Sequence, residues 1–348
     1  MDGYKPRRGY VIDPAAGAPR SPVSEGARYL GVDVGGTKVA TATWMDGKLG
    51  PVREQRTALD DSEALLEGLE RAVEEAVALG RRPEAVGVGV PSMIDFATGT
   101  VQASVNIPLQ GVPLRQELER RLGLPVFVDN DGNCAALGEA RAVEGGAWHL
   151  VMLTLGTGVG GGIVLDGHIF RGSSGLGAEL GHVVVQPEGP VCPGNCPNRG
   201  CLEAVASGSA LARDATELAQ DRPDSPLGRI LAARGEVSGP DVVTDAREED
   251  PHALELLRRL GRLLGVGIAG LLNTFEPEHV VIGGGLSRVA DLFLDEARRE
   301  AELRALPPIL ARAKISLARK GAEAGVLGAA LLARDEHRKA TRDTPATR

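Results

Sequence analysis

Two glycine turns, each flanked by apolar strands, constrain the fold of this chain more than any other feature of its sequence. The two patterns are Tyr29–Val34, Gly35-Gly36-Thr37 and Val39–Trp44, then Leu150–Leu155, Gly156-Thr157-Gly158 and Gly162–Leu165. In both, the chain returns as a strand after the glycines, so the turns predict β-hairpins rather than strand-to-helix junctions. Helical and strand-like segments follow each hairpin. We therefore predict two α/β lobes related by an internal duplication, with a cleft between them.

The length and charge of the chain narrow its function classes. With 348 residues, 43% of them hydrophobic, it can build two lobes with separate cores. The terminal segments 1–28 and 334–348 each carry five basic and three acidic residues, so the net charge of −8 becomes −12 for the body between them. An acidic body disfavours nucleic acid as a partner and suits an enzyme that acts on small molecules.

The sequence also lacks the marks of a membrane or secreted protein. Its most apolar stretch, Leu263–Leu272, is about half as long as a membrane-spanning helix. The start of the chain has no apolar signal-peptide core. Four cysteines in a chain of this size do not indicate a disulfide framework. We therefore expect no membrane partner and a cytoplasmic location.

Three cysteines and a histidine lie in one short stretch: His182, Cys192, Cys196 and Cys201. Three thiolates and one imidazole match the ligands of a closed, four-coordinate structural zinc site. The alternative is a surface loop with free thiols or a disulfide. The fourth cysteine, Cys134, lies in a helical pattern and is typical of a small buried hydrophobic residue.

Glycine-rich segments at predicted strand ends indicate nucleotide binding. They are Asp33-Val34-Gly35-Gly36-Thr37-Lys38, Gly156-Thr157-Gly158 and Gly283-Gly284-Gly285. Glycines let backbone amides approach an anion closely, and Asp33 is suited to hold Mg²⁺ directly or through water. Each segment alone is more typical of an ordinary glycine turn than of a phosphate site. Three together in an acidic α/β chain favour a nucleotide site.

Two familiar motifs are excluded by their context. The glycines at 156, 158 and 161 have the spacing of a dinucleotide-binding fingerprint, but a strand follows them where that fingerprint opens a helix. Ser92 lacks the flanking glycines of a nucleophile elbow. The polar run Asp129-Asn130-Asp131 instead ends a predicted strand and opens a helix, which is a favoured place for a functional site.

The glycine turn after Asp33 and the His182/Cys192/Cys196/Cys201/Glu203 cluster form a specific combination. On this combination, the chain resembles the ROK family of sugar kinases and related repressors, and the resemblance runs from about Tyr29 to about Ala333. Within that family, it resembles the bacterial ATP-dependent glucokinases most. The resemblance implies an actin-like ATPase (ribonuclease H-like) α/β fold. It further implies two lobes around a central cleft, with sugar in the cleft, ATP against the second lobe, and a structural zinc loop.

The family's functional positions fall on residues of this sequence by motif. The implied sugar ligands are Asn106, Asn130, Glu179, His182 and Glu203, and Asp131 is the implied catalytic base, also in contact with the sugar. The implied phosphate contacts are Gly35, Gly36 and Thr37 with Lys38 behind them, and Gly156, Thr157 and Gly158. The implied adenosine contacts are Gly283, Gly284 and Gly285, and His182 also serves as a zinc ligand. One departure is visible: three residues separate Cys192 from Cys196, where the family usually has one.

The resemblance also suggests how the chain divides. We expect a disordered tail over 1–27, an N-terminal lobe over 28–133 that the C-terminal helix 320–335 completes, a larger lobe over 134–319 with the zinc loop 182–203, and a frayed tail over 336–348. The family suggests a homodimer or homotetramer.

The expected activity is transfer of a phosphoryl group from ATP, with Mg²⁺, to the 6-hydroxyl of D-glucose. Nothing before Tyr29 resembles a helix-turn-helix, which the repressors normally carry, so the kinase branch is favoured. The alternatives are a kinase for mannose, fructose, allose or an N-acylhexosamine, and a non-catalytic sugar-sensing regulator. A polyphosphate donor is disfavoured because no extended basic channel is evident.

Overall fold

The computed structural model describes residues 26–78, 80–143 and 145–343. The expected disordered tail 1–27 therefore lies almost entirely outside the described residues, as does the end of the chain after Asp343. Within the described ranges the protein contains two main β-sheets, a separate small hairpin, and helices that pack on the sheets.

The first sheet is built on the first predicted hairpin. Its strands are β1 (Arg28–Val34), β2 (Lys38–Met45), β3 (Lys48–Leu49), β4 (Arg53–Arg56), β5 (Ala85–Val90) and β8 (Val126–Asn130). β1 pairs antiparallel with β2, and β5 then pairs parallel with both β1 and β8. β5 is buried along its whole length, which explains its continuous small apolar sequence. Strands β6 (Ser92–Asp95) and β7 (Thr100–Ser104) form the separate hairpin, which the sequence analysis did not predict.

The second sheet repeats this arrangement. Its strands are β9 (Leu150–Leu155), β10 (Val159–Leu165), β11 (His168–Ile169), β12 (His279–Gly283) and β13 (Lys314–Leu317). β9 pairs antiparallel with β10, and β12 pairs parallel with both β9 and β13. Both sheets thus join a glycine-turn hairpin to two parallel strands, which is the duplication that the hairpins predicted.

Eleven α-helices occur within the described ranges. They are α1 (Ser62–Ala78), α2 (Leu114–Leu122), α3 (Asp131–Ala142), α4 (Leu202–Ala206), α5 (Gly208–Asp221), α6 (Pro226–Arg234), α7 (Gly239–Arg247), α8 (Pro251–Phe275), α9 (Leu294–Arg304), α10 (Pro307–Leu310) and α11 (Ala324–Asp343). Short 3₁₀ segments cover Leu180–His182, Gly285–Leu292 and Gly321–Glu323. No helix of the described ranges is long and apolar enough to cross a membrane.

Two helices differ from their predicted extents. The apolar pattern of the sequence predicts a single helix over about 203–218, but the chain breaks at Ser207, whose side chain accepts a hydrogen bond from the Ala210 amide and begins a new helix. The C-terminal helix was predicted over 320–335, with a frayed tail over 336–348. Instead α11 continues to Asp343, so residues 336–343 are helical. On this segment Glu336 pairs with Arg171 and His337 packs against Tyr29.

Helices α3 and α11 are in backbone contact. A Cβ atom at Gly328 would overlap the carbonyl oxygen of Cys134, and one at Gly138 would overlap the carbonyl oxygen of Ala324. Such an approach requires glycine on each helix. The contact fixes the N-terminal end of α3, where β8 ends, relative to the N-terminal end of α11.

Candidate functional site

A cavity of about 500 Å³ collects the predicted sugar ligands. Its wall includes Asn106, Asn130, Asp131, Glu179, His182 and Glu203. These six residues come from three places: the loop after β7, the junction of β8 with α3, and the segment from Glu179, just before the 3₁₀ turn, to the start of α4. Three carboxyl groups, two carboxamides and an imidazole in one cavity suit a ligand that presents many hydroxyl groups.

The first turn of α3 orients Asn130 and Asp131. The Asn130 side-chain oxygen accepts hydrogen bonds from the amides of Gly132 (2.8 Å) and Asn133 (3.2 Å), so Asn130 is the N-cap of the helix. The side-chain nitrogen of Asn130, Nδ2, donates to the Ser92 carbonyl oxygen at 3.3 Å. Burial raises the pKa of Asp131, while the Gly132 amide, 2.8 Å from its Oδ1, opposes the shift. A buried carboxylate that retains few partners is a stronger proton acceptor than one in water.

Behind this turn lies a buried ion pair. Asp129 is 2% exposed, and its Oδ2 accepts from Arg171 Nε at 2.6 Å. Its Oδ1 accepts from the Asn130 amide and from the Asn133 side chain. The Arg171 guanidinium stacks on the Phe96 ring, 3.6 Å from its centroid. Arg171 also precedes the 175–179 segment of the cavity wall, so the pair ties that wall to the Asn130–Asp131 turn.

Glu203 connects the cavity to the second glycine turn. Its Oε2 accepts a hydrogen bond from the Val159 amide at 2.8 Å. A Cβ atom at Gly158 would overlap the same oxygen. The carboxylate therefore lies directly on the Gly156–Gly158 turn, and its other oxygen remains available to a ligand. The turn is further held by hydrogen bonds from the amides of Gly208 and Ser209 to the carbonyl oxygens of Gly156 and Thr157.

Glu179 also titrates differently from a free glutamate. Burial raises its pKa, His182 opposes the shift, and the carboxylates of Glu203 and Asp131 add to it. These influences on Glu179 agree with the position of the four side chains around one cavity.

A second cavity, of about 490 Å³, adjoins the first. Its wall includes Asp33, Gly283, Gly284 and Gly285, the loop and helix start at 318–325, and the side chains of Ser287 and Arg288. Asp131, Gly132, Thr154 and Gly284 line both cavities. Gly284 has φ +83°, and a Cβ atom there would overlap the backbone of Leu155, so the flat glycine surface is a geometric requirement. Asp131 thus stands where a ligand of one cavity would meet a ligand of the other.

Asp33 places a second carboxyl group in this cavity. Burial, and next the carboxylate of Asp131, raise its pKa from 3.8 to about 7, against the effect of Lys38. Two carboxyl groups that destabilise each other's ionised forms suit a divalent cation, and oxygen is the ligand atom that Mg²⁺ prefers.

The phosphate contacts predicted at the first glycine turn, Gly35-Gly36-Thr37, stay a prediction. Gly36 and Thr37 line another cavity, with residues 56–60. Thr57 braces the turn: its hydroxyl donates to the Gly35 carbonyl oxygen and its amide to that of Thr37. The Lys38 side chain pairs with Glu54 on β4. Of this predicted phosphate segment, Asp33 is the residue that the structure places in a cavity with Asp131.

The predicted metal ligands come together. One donor atom from each of His182, Cys192, Cys196 and Cys201 lies within 4.8 Å of the others. Cys192 Sγ is 3.4 Å from His182 Nδ1, and Cys196 Sγ is 3.9 Å from Cys201 Sγ. A tetrahedral zinc ion with bond lengths of about 2.0 Å to nitrogen and 2.3 Å to sulfur requires edges of about 3.5–3.8 Å, so the donor set fits the ion.

The longer spacing between the first two cysteines does not disturb this geometry. Gly194, the middle one of the three intervening residues, has φ +68°, a turn conformation that favours glycine. The Cys192 amide donates to the Asn198 carbonyl oxygen, which holds the first cysteine near the last part of the loop.

Several residues of the site were missed by the sequence analysis. They are Ser92, which lines the first cavity, Ser287 and Arg288, which line the second, and Arg171 behind the α3 turn. Ser287 and Arg288 follow the predicted Gly283–Gly285 segment directly, so that segment was the available signal. Nothing in the local sequence distinguished Arg171, because its partner Asp129 is 42 residues away.

The shifted pKa of Asp33 predicts a pH-dependent stability. Because its folded pKa lies above 3.8, the folded state keeps a proton that the unfolded state releases, and this group's contribution falls as pH rises from about 4 to about 7. Asp33→Asn removes that loss. We compare the unfolding free energy of the variant with that of the wild type at each pH. This difference should be about 2–3 kcal/mol more favourable to the variant at pH 8 than at pH 5.

The measurement is urea unfolding at both pH values without added divalent cations. Asp166→Asn, at an exposed turn, controls for the substitution itself. Parallel pH dependences for wild type and Asp33→Asn would contradict the assignment.

Comparison with known proteins places this architecture in a family. The sequence model of the ROK family matches residues 29–336. A glucokinase of Halalkalibacterium halodurans is 38% identical over 315 residues, which cover 88% of this chain and 95% of that protein. An N-acetylmannosamine kinase of Escherichia coli is 34% identical over 88% of this chain and 98% of its own length. A putative xylose repressor of Caldicellulosiruptor is 34% identical over 77% of this chain and 68% of its own length.

Solved structures agree. A ROK hexokinase from Thermus thermophilus is 37% identical, with a TM-score of 0.77 over 90% of this chain and 99% of that chain. A ROK family glucokinase from Streptomyces griseus, solved in complex with glucose and AMPPNP, is 35% identical, with a TM-score of 0.72 over 89% and 100%. The duplicated sheets, the Cys/His cluster and these matches agree in their assignment: the chain belongs to the ROK family and has its actin-like, two-lobed α/β fold.

Proposed function

We propose that this protein is an ATP-dependent hexose kinase, and specifically a glucokinase that phosphorylates the 6-hydroxyl of D-glucose. The observation that carries the proposal is the position of Asp131, which lines both the cavity of hydrogen-bonding side chains and the glycine-lined cavity. The sugar kinases among its relatives, led by glucokinases, support the reaction class. The two lobes would be residues 28–133, completed by 320–335, and residues 134–319.

In this proposal the first cavity holds the sugar. Asn106, Asn130, Glu179, His182 and Glu203 would bind its ring hydroxyls. Asp131 would accept the proton of the primary hydroxyl as that oxygen attacks the terminal phosphorus of ATP. The raised pKa of Asp131 favours this role, because a carboxylate of higher proton affinity is the better base as long as it remains ionised.

The second cavity would hold the nucleotide. Gly284 and its neighbours give a flat backbone surface for the adenosine, and the Gly156–Gly158 turn reaches the same boundary from the other side. Asp33 would hold Mg²⁺, which neutralises phosphate charge when it is bound. Phosphoryl transfer depends mainly on positioning and charge neutralisation, and this arrangement supplies both.

The test is an ADP-release assay on the full chain, with ATP and Mg²⁺ and a panel of glucose, mannose, fructose, allose and N-acetylmannosamine. We expect glucose to give the highest kcat/KM. A higher value for another sugar would reassign the substrate. Sugar binding without ADP release would instead support a sensor, a role consistent with the xylose repressor among the relatives.

The role of Asp131 is tested by Asp131→Asn, which keeps the shape of the side chain and removes the proton acceptor. We expect kcat to fall by about 10²–10⁴, the usual contribution of a general base, while the Kd for ADP changes little. Rapid-quench kinetics and calorimetry give the two quantities. Asp166→Asn serves as the control, and near-normal turnover of Asp131→Asn would remove this residue from the base role.

We also propose that the Cys/His cluster binds one structural zinc ion. No ligand position would remain open, so the metal would take no part in the chemistry. Through His182 and Glu203 it would shape the sugar cavity. Chelation should therefore lower both the thermal unfolding temperature and the affinity for glucose.

Elemental analysis of the purified protein provides the check. Cys192→Ala should lose the metal, whereas Cys134→Ala, which removes a buried thiol outside the cluster, should retain it. Unchanged unfolding temperature and glucose affinity after verified metal removal would reject the structural role.

A further inference from the structure

Glu139 is a buried carboxyl group to which the reaction described above assigns no role. It lies on α3, is fully buried, and its two oxygens accept hydrogen bonds from three successive backbone amides: Arg319 at 2.9 Å, Lys320 at 2.7 Å and Gly321 at 3.2 Å. Among the described residues, no lysine or arginine side chain forms an ion pair with it. Burying a carboxylate costs free energy unless such hydrogen bonds compensate it. The three backbone amides must therefore stay beside the Glu139 carboxylate, which fixes the path of this loop.

The loop that Glu139 holds forms one wall of the second cavity. It runs from the end of β13 through the 3₁₀ turn Gly321–Glu323 into α11. Gly321, Ala322 and Gly325 line the cavity together with the Gly283–Gly285 surface. A shift of this loop would therefore change the width of the cavity proposed for the nucleotide.

Glu139 lies on the helix that begins with Asp131. Glu139 follows Asp131 by eight positions, which is about 12 Å along the helix axis. The backbone contacts of Gly138 and Gly328 hold α3 against α11 between these points. One rigid helix thus carries the proposed base at its first turn and the anchor of the nucleotide wall two turns later.

From this arrangement we propose that Glu139 is a positioning residue for the nucleotide: it fixes the 319–321 loop, and through it the cavity wall, relative to Asp131. This inference rests on the proposed function, since it assigns the second cavity to the nucleotide. Glu139 touches neither substrate. Its effect should fall on nucleotide affinity and leave sugar affinity nearly unchanged.

The test is Glu139→Gln in the full chain, which keeps the side-chain length but places an amide donor opposite backbone donors. Calorimetry should show the Kd for ADP raised at least tenfold, with the Kd for glucose within twofold of wild type. The KM for ATP should rise, and kcat at saturating ATP should fall by less than the affinity does. Glu139→Asp retains the charge but is one methylene shorter, so it should shift the same quantities in the same direction by a smaller factor.

The matched control is Glu119→Gln. The Glu119 carboxylate likewise accepts a backbone hydrogen bond, from the Val126 amide at 3.2 Å, at a place away from both cavities. Its variant should lower the unfolding temperature without changing the Kd for ADP.

Three results would overturn the inference. They are an unchanged Kd for ADP in both Glu139 variants, an equal loss of ADP and glucose affinity, or a loss of ADP affinity in Glu119→Gln as large as in Glu139→Gln. Failure of the proposed function is recognised separately, because in that case the wild-type chain would bind no nucleotide. If Glu139→Gln does not fold, the shorter carboxylate variant decides between the outcomes.

Discussion

The close approach of α3 and α11 is the constraint on which the site depends. Each helix contributes a glycine, and the opposing backbones touch with no side chain between them. α3 begins where a strand of the first sheet ends, and α11 begins beside the last strand of the second. The contact therefore sets the distance between the two cavities, and interior packing of this kind resists gradual deformation.

The two cavities differ in the polar groups that they present. The first has six hydrogen-bonding side chains from Asn106 to Glu203 in its wall, whereas the second has Asp33 and Arg288 beside the glycine run Gly283–Gly285. Burial acts on the carboxyl groups at their boundary, and the pKa values of Asp33 and Asp131 both rise as a result. A polyol on one side and a cation-bound polyanion on the other are the ligands that such a boundary suits.

The sequence predicted the parts of this structure whose signals are local. The two hairpins, the strand-to-helix junction at Asn130 and the metal-ligand set each depend on residues near one another in the chain. The anchors of the site were not predictable in this way. Arg171 pairs with Asp129, which lies 42 positions away in the chain. Glu139 accepts hydrogen bonds from backbone amides about 180 positions later, and backbone donors carry no signal in the sequence.

The same distinction applies to the features that the sequence did not predict. The composition of Gly36 and Thr37 predicts a phosphate turn, but nothing near them in the chain marks Thr57 as the residue that braces this turn. Ser207 carries a helix-capping side chain inside an apolar helical pattern, so a continuous helix was predicted where the chain starts a new one. The β6–β7 hairpin is short and has a bulge, which weakens its alternation.

The contact between Glu203 and Gly158 limits how the family can diversify in this lineage. The carboxylate occupies the space that any side chain at position 158 would need. A side chain at 158, 45 positions of chain away from Glu203, would displace the Glu203 carboxylate from the Val159 amide. The absence of a side chain at 158 therefore preserves the orientation of a carboxylate proposed to bind sugar.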